Sequence, residues 1–166
     1  MKKIIFIVVL LVVGITTNAQ DIADNTIGVR ISNRYSEIAY QKKISDNSRL
    51  EANLGWKGYF AYSDVKLTGL YQYVMDFQPL DGMNLYFGGG GAVGYWSYKN
   101  RYYYSSYDYD EKGVFFSGIG NFGVEYKFDF PLLVSADVRP GIEFSNFDSH
   151  SGFLFDFGVS AKYTFN

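Results

Sequence analysis

The segment from Phe153 to Phe165 constrains the fold more than any other part of the chain. Every second residue in it is apolar, namely Phe153, Phe155, Phe157, Val159, Ala161, Tyr163 and Phe165, and after Leu154 the residues between them are polar or small. Strict alternation predicts a β-strand with one apolar face and one polar face. Aromatic rings at both ends of the apolar face, with small aliphatic side chains between them, are typical of a strand that crosses a bilayer.

The same alternation can be followed through most of the chain. It predicts eight strands, near residues 25–33, 35–44, 49–61, 65–77, 83–98, 114–128, 132–144 and 153–165. Residues that favour turns occupy 45–48, 78–82 and 129–131, and the remaining connections are two short links near Arg34 and Ser63, a long loop at 99–113 and a medium loop at 145–152. The sequence therefore predicts an all-β, antiparallel, up-and-down transmembrane barrel whose last strand closes it, with short turns and both termini in the periplasm.

One residue conflicts with this assignment. Pro140 falls inside the seventh predicted strand, where it has no N–H to donate to the sheet. A closed barrel offers no free edge for it, so we expect a β-bulge or the outer end of the strand at this position.

The N-terminus has the features of an export signal. Lys2 and Lys3 precede an apolar run from Ile4 to Ile15, and small residues follow at Thr17 and Ala19. This pattern predicts a secretory signal peptide over residues 1–19, cleaved after Ala19, and a single barrel domain over residues 20–166. The apolar run is shorter than the roughly 20 residues that a membrane-spanning helix needs, and no cysteine follows it to carry a lipid anchor.

Composition excludes several classes of function. Without residues 1–19 the chain keeps 13 of its 15 basic residues against 17 acidic ones, a net charge of −4 on 147 residues. A mildly acidic domain argues against a nucleic-acid partner. The chain contains no cysteine, which excludes disulfides and thiol chemistry. Aromatic residues make up 20% of the chain, which is high for an ordinary soluble domain.

The polar faces of the predicted strands carry charges of both signs, which suggests an interior of paired charges. The residues assigned to this lumen charge network are Arg30, Glu37, Glu51, Lys57, Lys66, Glu125, Lys127, Asp137, Arg139, Glu143, Asp156 and Lys162. The rival interpretation is a soluble barrel of the lipocalin type, apolar inside. An eight-stranded barrel is only wide enough to be filled by side chains, so more than a dozen rings of about 150–250 Å² each do not fit inside. We therefore expect the rings to face lipid.

At this point the chain resembles the small eight-stranded outer-membrane barrels of the OmpA transmembrane-domain and OmpX type. The resemblance covers the region after the signal peptide and includes Tyr163 and Phe165, which are similar to the C-terminal signal read by the outer-membrane assembly machinery. It implies a monomer integral to the outer membrane, in contact with its lipid and lipopolysaccharide, and assembled by periplasmic chaperones and the barrel-assembly machinery. The peptidoglycan-binding domain of OmpA itself is not expected here.

No enzyme, cofactor or metal ion is predicted. The run Gly88-Gly89-Gly90-Gly91 is not followed by the Lys-Ser/Thr of a phosphate-binding loop, so we interpret its glycines, with Gly118, Gly120 and Gly123, as space for large lumen side chains or for wall curvature. His150 is the one histidine, and its serine and aspartate neighbours share one short loop, which is a poor scaffold for a catalytic triad.

The most distinctive external segment is the loop at 99–113. Its residues Arg101, Tyr102, Tyr103, Tyr104, Tyr107 and Tyr109 have a composition typical of binding surfaces. Acidic residues in the same loop make a poor calcium site. We favour an extension of the two neighbouring strands as a hairpin, with or without a bound partner. The sequence thus predicts a structural or surface-interaction role; the alternatives are a narrow pore or a conduit for hydrophobic solutes and, third, an external-loop enzyme.

Overall fold

The structure, a computed structural model, is a closed barrel of eight antiparallel strands, and the predicted fold class is confirmed. It describes residues 22–59, 62–77, 81–100, 109–145 and 152–165. The strands are β1 (Asn25–Ser32), β2 (Ser36–Ser45), β3 (Ser48–Tyr59), β4 (Tyr62–Asp76), β5 (Met83–Asn100), β6 (Tyr109–Lys127), β7 (Leu132–Ser145) and β8 (Gly152–Phe165). The predicted signal peptide at 1–19 lies outside the described residues.

Each strand pairs with the next one along the chain, and β1 pairs with β8 to close the barrel, from Asn25 opposite Phe165 to Ser32 opposite Gly158. None of the described residues forms a helix long and apolar enough to cross a membrane. The predicted link near Ser63 is wrong, because Ser63 pairs with Gly58 inside the β3–β4 ladder. The predicted strand bounds at 61 and 65 come two and three residues later than the observed bounds at Tyr59 and Tyr62.

The two ends of the barrel differ. The end that holds the turns after β2, β4 and β6 and the start of β1 is called here the terminal end. The opposite end, called the loop end, holds the connections after β1, β3, β5 and β7. At the terminal end, Ser45 and Ser48 enclose a two-residue turn, and the register slips by one residue between Lys43 and Ser45 as β2 enters it.

Strands β5 and β6 rise above their neighbours at the loop end. They are 18 and 19 residues long, whereas about 9–11 residues suffice for a tilted strand to cross a bilayer. Their pairing continues to Asn100 opposite Tyr109, beyond the point where β4 pairs with Tyr98 and β7 pairs with Phe115. The sequence predicted the hairpin extension but began β6 five residues too late, because the tyrosine-rich segment alternates weakly.

Pro140 is accommodated without the expected β-bulge. The β6–β7 register is the same on both sides of it, with Ile119 opposite Gly141 and Phe122 opposite Val138, and the strand runs on to Ser145. Between these two pairs, two consecutive residues of each strand are not paired with the other strand. The neighbour across the gap is Gly120, where an added Cβ would lie 3.5 Å from the Pro140 ring. A proline is tolerated here because the sheet loses local pairing and keeps its register.

Alternation sorts side chains between the two faces of the wall. On β8 the outward Phe153 and Val159 are 74% and 61% exposed, while the inward Asp156 is 2% exposed. The outward face of the described strands is apolar, and the inward face carries most of the charge. The barrel therefore has a polar core and an apolar outside.

Candidate functional site

The lumen near its middle is organised around Arg30. Its Nε lies 3.1 Å from both carboxylate oxygens of Asp137, and its Nη1 lies 3.2 Å from Asp156 Oδ2 and 3.4 Å from Glu37 Oε2. These partners stand on β7, β8 and β2, so one guanidinium on β1 joins four strands across the barrel closure. Arginine suits this role because its planar fork offers five donors and always carries a charge.

Three other cations complete the central network. Arg139 donates to Glu51 at 2.7 Å and to Glu37 at 3.1 Å. Lys162 lies 3.4 Å from Glu51, and Lys66 lies 3.3 Å from Glu37. All of these side chains are buried. The network keeps each charge paired in a region from which water is largely excluded, where an unpaired charge would be very costly.

A second cluster lies nearer the terminal end. Arg49 binds Glu125 in a bidentate pair at 2.9 and 2.6 Å, donates to Gln72 at 2.6 Å and stacks 4.9 Å from the centre of the Tyr86 ring. The predicted lumen network did not include Arg49. It has the same parity as Glu51 in β3, and that signal could have identified it.

A small apolar cluster lies at the terminal end, next to Tyr86. Ile22, which precedes β1, is 6% exposed and packs with Val74 and Tyr86. The segment before the first strand thus places an apolar side chain in the mouth of the barrel, beneath the ion pair of Arg49.

Of the twelve residues assigned to the lumen charge network, the structure brings nine together as buried groups: Arg30, Glu37, Glu51, Lys66, Glu125, Asp137, Arg139, Asp156 and Lys162. The other three lie nearer the barrel ends. Lys57 is exposed, with its Nζ 5.7 Å from the Tyr62 ring centre, and Lys127 and Glu143 are half-buried. Glu143 lies 3.7 Å from Arg34 and accepts a hydrogen bond from Ser117.

The rings of the apolar strand faces, such as Trp56 and Phe122, point outward as expected, but among the described residues four further aromatic side chains are buried inside the barrel. They are Tyr35, Tyr86, Trp96 and Phe115, all at most 4% exposed. Glycines on neighbouring strands make room for three of them. An added Cβ would lie 2.4 Å from Tyr86 at Gly123 and 2.6 Å from Trp96 at Gly113, and Gly94 lies against Phe115 in the same way. The interpretation of glycines as space is therefore confirmed for Gly123, and a few rings fit inside because such glycines face them.

The glycine run at 88–91 has a different structural role. At the inward positions Gly88 and Gly90, an added Cβ would clash with the β4 backbone, at the carbonyl oxygens of Tyr71 and Gly69. Glycine allows the strands to approach closely here, which agrees with the predicted easing of wall curvature.

We expect Gly158→Ala to lower the free energy of unfolding by about 1–3 kcal/mol, because the added methyl overpacks a filled lumen. Its Cβ would lie 2.7 Å from Arg30 Cζ, and that guanidinium is held by three carboxylates. Urea unfolding of the refolded barrel measures the loss. Gly69→Ala is the matched control, since nothing lies within 4 Å of its Cβ. Equal stabilities of the two variants would show that the Arg30 site has room to relax.

The loop end of the lumen opens into a cavity of about 450 Å³, called here the loop-end cavity. It is lined by Arg34, Lys57, Tyr62, Asp64, Trp96, Phe115, Glu143, Gly152, Phe153 and Leu154. Below it, between Tyr35, Lys66, Arg139 and their neighbours, the free volume shrinks to about 10 Å³, which is at the limit of what holds one water molecule. Among the described residues, the free volume therefore narrows sharply from the loop-end cavity towards the central charge network.

Asp64 holds the wall of this cavity through two tyrosines. Its Oδ2 accepts hydrogen bonds from the hydroxyls of Tyr35 at 2.6 Å and Tyr62 at 3.3 Å. Burial raises the pKa of the Tyr35 hydroxyl, in the link between β1 and β2, and the hydrogen bond to Asp64 raises it further. Tyr35 is thereby kept as a neutral donor to the carboxylate. Asp64 was not among the predicted site residues, because it lay beside the wrongly placed link near Ser63.

The remaining predicted sites are only partly visible. Arg101, Tyr102, Tyr103, Tyr104 and Tyr107 lie outside the described residues, as does His150, and Tyr109 is described only as the backbone start of β6. Tyr163 and Phe165, assigned to the assembly signal, lie on the outward face of β8 with their rings stacked and their centres 6.3 Å apart.

Comparisons with known proteins identify fold relatives. No protein-family model matches the chain, and no curated protein matches its sequence. Among solved structures, the N-terminal β-barrel domain of Pseudomonas aeruginosa OprF is 12% identical with a TM-score of 0.55, and 85% of this chain covers 98% of it. Neisserial surface protein A is 14% identical with a TM-score of 0.56, with 86% and 94% covered. Ail, the attachment invasion locus protein of Yersinia pestis, is 11% identical with a TM-score of 0.51, with 85% and 96% covered.

These structural neighbours are small eight-stranded outer-membrane β-barrels, so the resemblance drawn from the sequence is confirmed. Identities of 11–14% carry the fold alone. The likeness covers nearly the whole of each neighbour, which means that the shared unit is the complete barrel.

Proposed function

We propose that this chain is an integral outer-membrane barrel with a structural or surface-interaction role and a filled, non-conducting lumen. The observation that carries the proposal is that the barrel wall is apolar on its outer face and charged on its inner face, the inverse of a soluble barrel. Large apolar side chains such as Leu67 and Phe157 are about half exposed on the outside, while Arg30 and Glu51 are enclosed.

This inversion is unfavourable in water and favourable in a bilayer. Outward apolar side chains occur on all eight strands, so the exposed surface is a continuous band and not a local patch. Monomeric soluble proteins rarely expose contiguous apolar patches of more than a few hundred Å². In a bilayer the closed ladder also satisfies the backbone N–H and C=O groups, and lipid accepts the apolar side chains.

The proposal includes a direction of insertion. A signal peptide at 1–19 would deliver the chain across the inner membrane, chaperones and the barrel-assembly machinery would insert it, and the terminal end would face the periplasm. Short turns at that end and long β5–β6 strands at the other support this orientation. The barrel then acts as a monomer whose loop end meets lipopolysaccharide and the outside.

The filled lumen supports a non-conducting barrel over the narrow pore. Arg49, Glu125 and Tyr86 occupy one level and the Arg139 network occupies another. A conducting path would have to break these buried pairs. Each broken pair would leave a buried charge without its partner, which is very costly. The surface-interaction role rests on the β5–β6 hairpin, whose backbone rises beyond both neighbouring strands.

We expect the chain lacking residues 1–19 to refold into lipid vesicles as a compact form that migrates differently on gels before and after boiling. In planar bilayers it should give no steady single-channel conductance, because ion pairs fill the lumen. The buffer-soluble lipocalin alternative predicts a folded protein without detergent or lipid. A folded, detergent-free monomer would refute the membrane assignment, whereas stable conductance steps would refute only the filled lumen and favour the pore.

A further inference from the structure

We propose that the loop-end cavity binds a small organic ammonium ion with an apolar body, and that Asp64 receives the ammonium group. This ligand site goes beyond the proposed function and does not depend on what the hairpin does. It requires only the barrel and the side chains that line the cavity.

The first argument is the state of the Asp64 carboxylate. Asp64 is 4% exposed and lines the cavity. Two tyrosine hydroxyls hold Oδ2, while Oδ1 has no hydrogen-bond partner among the described residues. A buried carboxylate oxygen without a partner is costly, and a donor that entered the cavity and reached Oδ1, which is itself buried, would remove that cost. The tyrosines also fix the orientation of the carboxylate, so a ligand does not have to order it.

The second argument is how the buried charges are distributed. Among the described residues, the other five buried carboxylates, Glu37, Glu51, Glu125, Asp137 and Asp156, each have an ion-pair partner, and Asp64 has none. The nearest lumen cation along β4 is Lys66. Its ammonium lies 3.3 Å from Glu37 and 3.8 Å from the centre of the Tyr35 ring, so its contacts are with those groups. Lys57 stands opposite Asp64 in the β3–β4 ladder, but among the described residues no ion pair joins Asp64 to it or to any other cation.

The third argument is the rest of the wall, which suits an apolar body. Trp96, Phe115 and Leu154 line the cavity beside Asp64. The Trp96 and Phe115 rings are held in place because glycines face them, at Gly113 and Gly94. An ammonium ion near aromatic faces gains a cation–π contribution, which grows when the site is shielded from water.

The cations of the wall do not turn this cavity into an anion site. Arg34 is engaged by Glu143 at 3.7 Å, and Lys57 sits over the Tyr62 ring at 5.7 Å with its side chain in solvent. Both are exposed enough to be well hydrated, whereas Asp64 is enclosed. Because Asp64 is shielded from water, its charge acts more strongly on a ligand in the cavity than the hydrated charges of Arg34 and Lys57 do, and the cavity therefore favours a cation.

The test uses Trp96 as its reporter. The chain has two tryptophans, and Trp56 lies on the outward face, 47% exposed. Trp56→Phe therefore leaves Trp96 as the single tryptophan, in the cavity wall. We expect phenethylamine to change Trp96 fluorescence saturably in this background, with the barrel in zwitterionic detergent. The uncharged 3-phenylpropanol, of similar size, should bind at least about tenfold more weakly, since it lacks the charge-assisted hydrogen bond.

Two variants separate the site from general partitioning. Asp64→Asn keeps the shape and an acceptor for the tyrosines but removes the charge, and it should weaken phenethylamine binding by about 10- to 100-fold. Asp76→Asn is the matched control, because Asp76 lies on the same strand at the terminal end and is exposed. It should leave the affinity unchanged.

Three results would overturn the proposal. They are the absence of a saturable signal, equal binding by Asp64→Asn and the parent, and displacement of the amine by millimolar CaCl₂ but not by NaCl of matched ionic strength. The last would show that the carboxylate takes an inorganic cation. A parent that binds the amine but shows channel conductance would leave this site intact and contradict only the filled lumen, so the two failures can be told apart.

Discussion

Arg30→Met is expected to lower the free energy of unfolding by about 3–5 kcal/mol, because it leaves the buried Asp156 without an ion-pair partner and takes one of several partners from Glu37 and Asp137. Arg30 contacts Glu37, Asp137 and Asp156, and Asp156 has no other ion pair among the described residues. Methionine retains most of the apolar volume of the side chain, so the loss reports charge and not a cavity. The measurement is urea unfolding of the refolded barrel in phosphatidylcholine vesicles, with the folded fraction read from unboiled gels.

Arg34→Met is the matched control. The Arg34 side chain is 31% exposed and lies 3.7 Å from Glu143, so its loss should cost less than about 1 kcal/mol. Adding Asp156→Asn to Arg30→Met should recover part of the stability, since it removes a stranded charge. Equal losses for the two arginine variants would mean that water reaches the centre of the lumen and that the network is not desolvated.

Val159→Arg is expected to cost about 2–4 kcal/mol in a bilayer, because it places a charge on the lipid-facing wall near its midplane. Val159 is 61% exposed and lies midway along β8, between the aromatic ends of the strand's outward face. In water the same change at an exposed site would be nearly neutral. Unfolding in vesicles of defined thickness, compared with the parent, measures the difference.

The control for depth is Phe153→Arg, on the same face of the same strand near the loop end. Arginine close to the interface costs about 0–1 kcal/mol, so this variant should be clearly less affected. If both variants lost the same stability, the outward band would not follow the depth of a membrane. A protein that folds in buffer with Val159→Arg and needs no lipid would contradict the bilayer orientation altogether.

The strands were predictable because their signal is local. In β8, the alternation of apolar and polar residues is enough to predict that Phe155 and Asp156 point to opposite faces of the sheet, and no other part of the chain is needed for this prediction. The start of β6 and the β3–β4 link were less accurate. There the tyrosine-rich stretch and the Ser63–Asp64 region carry weak alternation, and the ladder with the neighbouring strand decides where the strand begins or ends.

The site was only partly predictable, because its contacts are between residues far apart in the chain. The sequence assigned Arg30, Asp137 and Asp156 to one face, yet nothing local indicates that Arg30 would meet partners 107 and 126 residues away. Arg49 and Asp64 were missed although their parity was visible, since each lies close to a strand end where the face assignment had stopped. The inward Trp96 was missed because space for its ring is provided by Gly113 on another strand.

The sequence by itself determined that this protein is a barrel with a polar lining and an apolar outside, because alternation and the number of strands fix which side chains share a face. Only the tertiary structure decided which charges lie at the same height in the lumen, that Ile22 packs with Val74 and Tyr86 at the terminal end, and that Asp64 lines a cavity. The physical reason is that the pleat of each strand sets locally whether a side chain points inward or outward. The register of the strands around the closed wall sets which side chains lie at the same height along the barrel axis and contact one another.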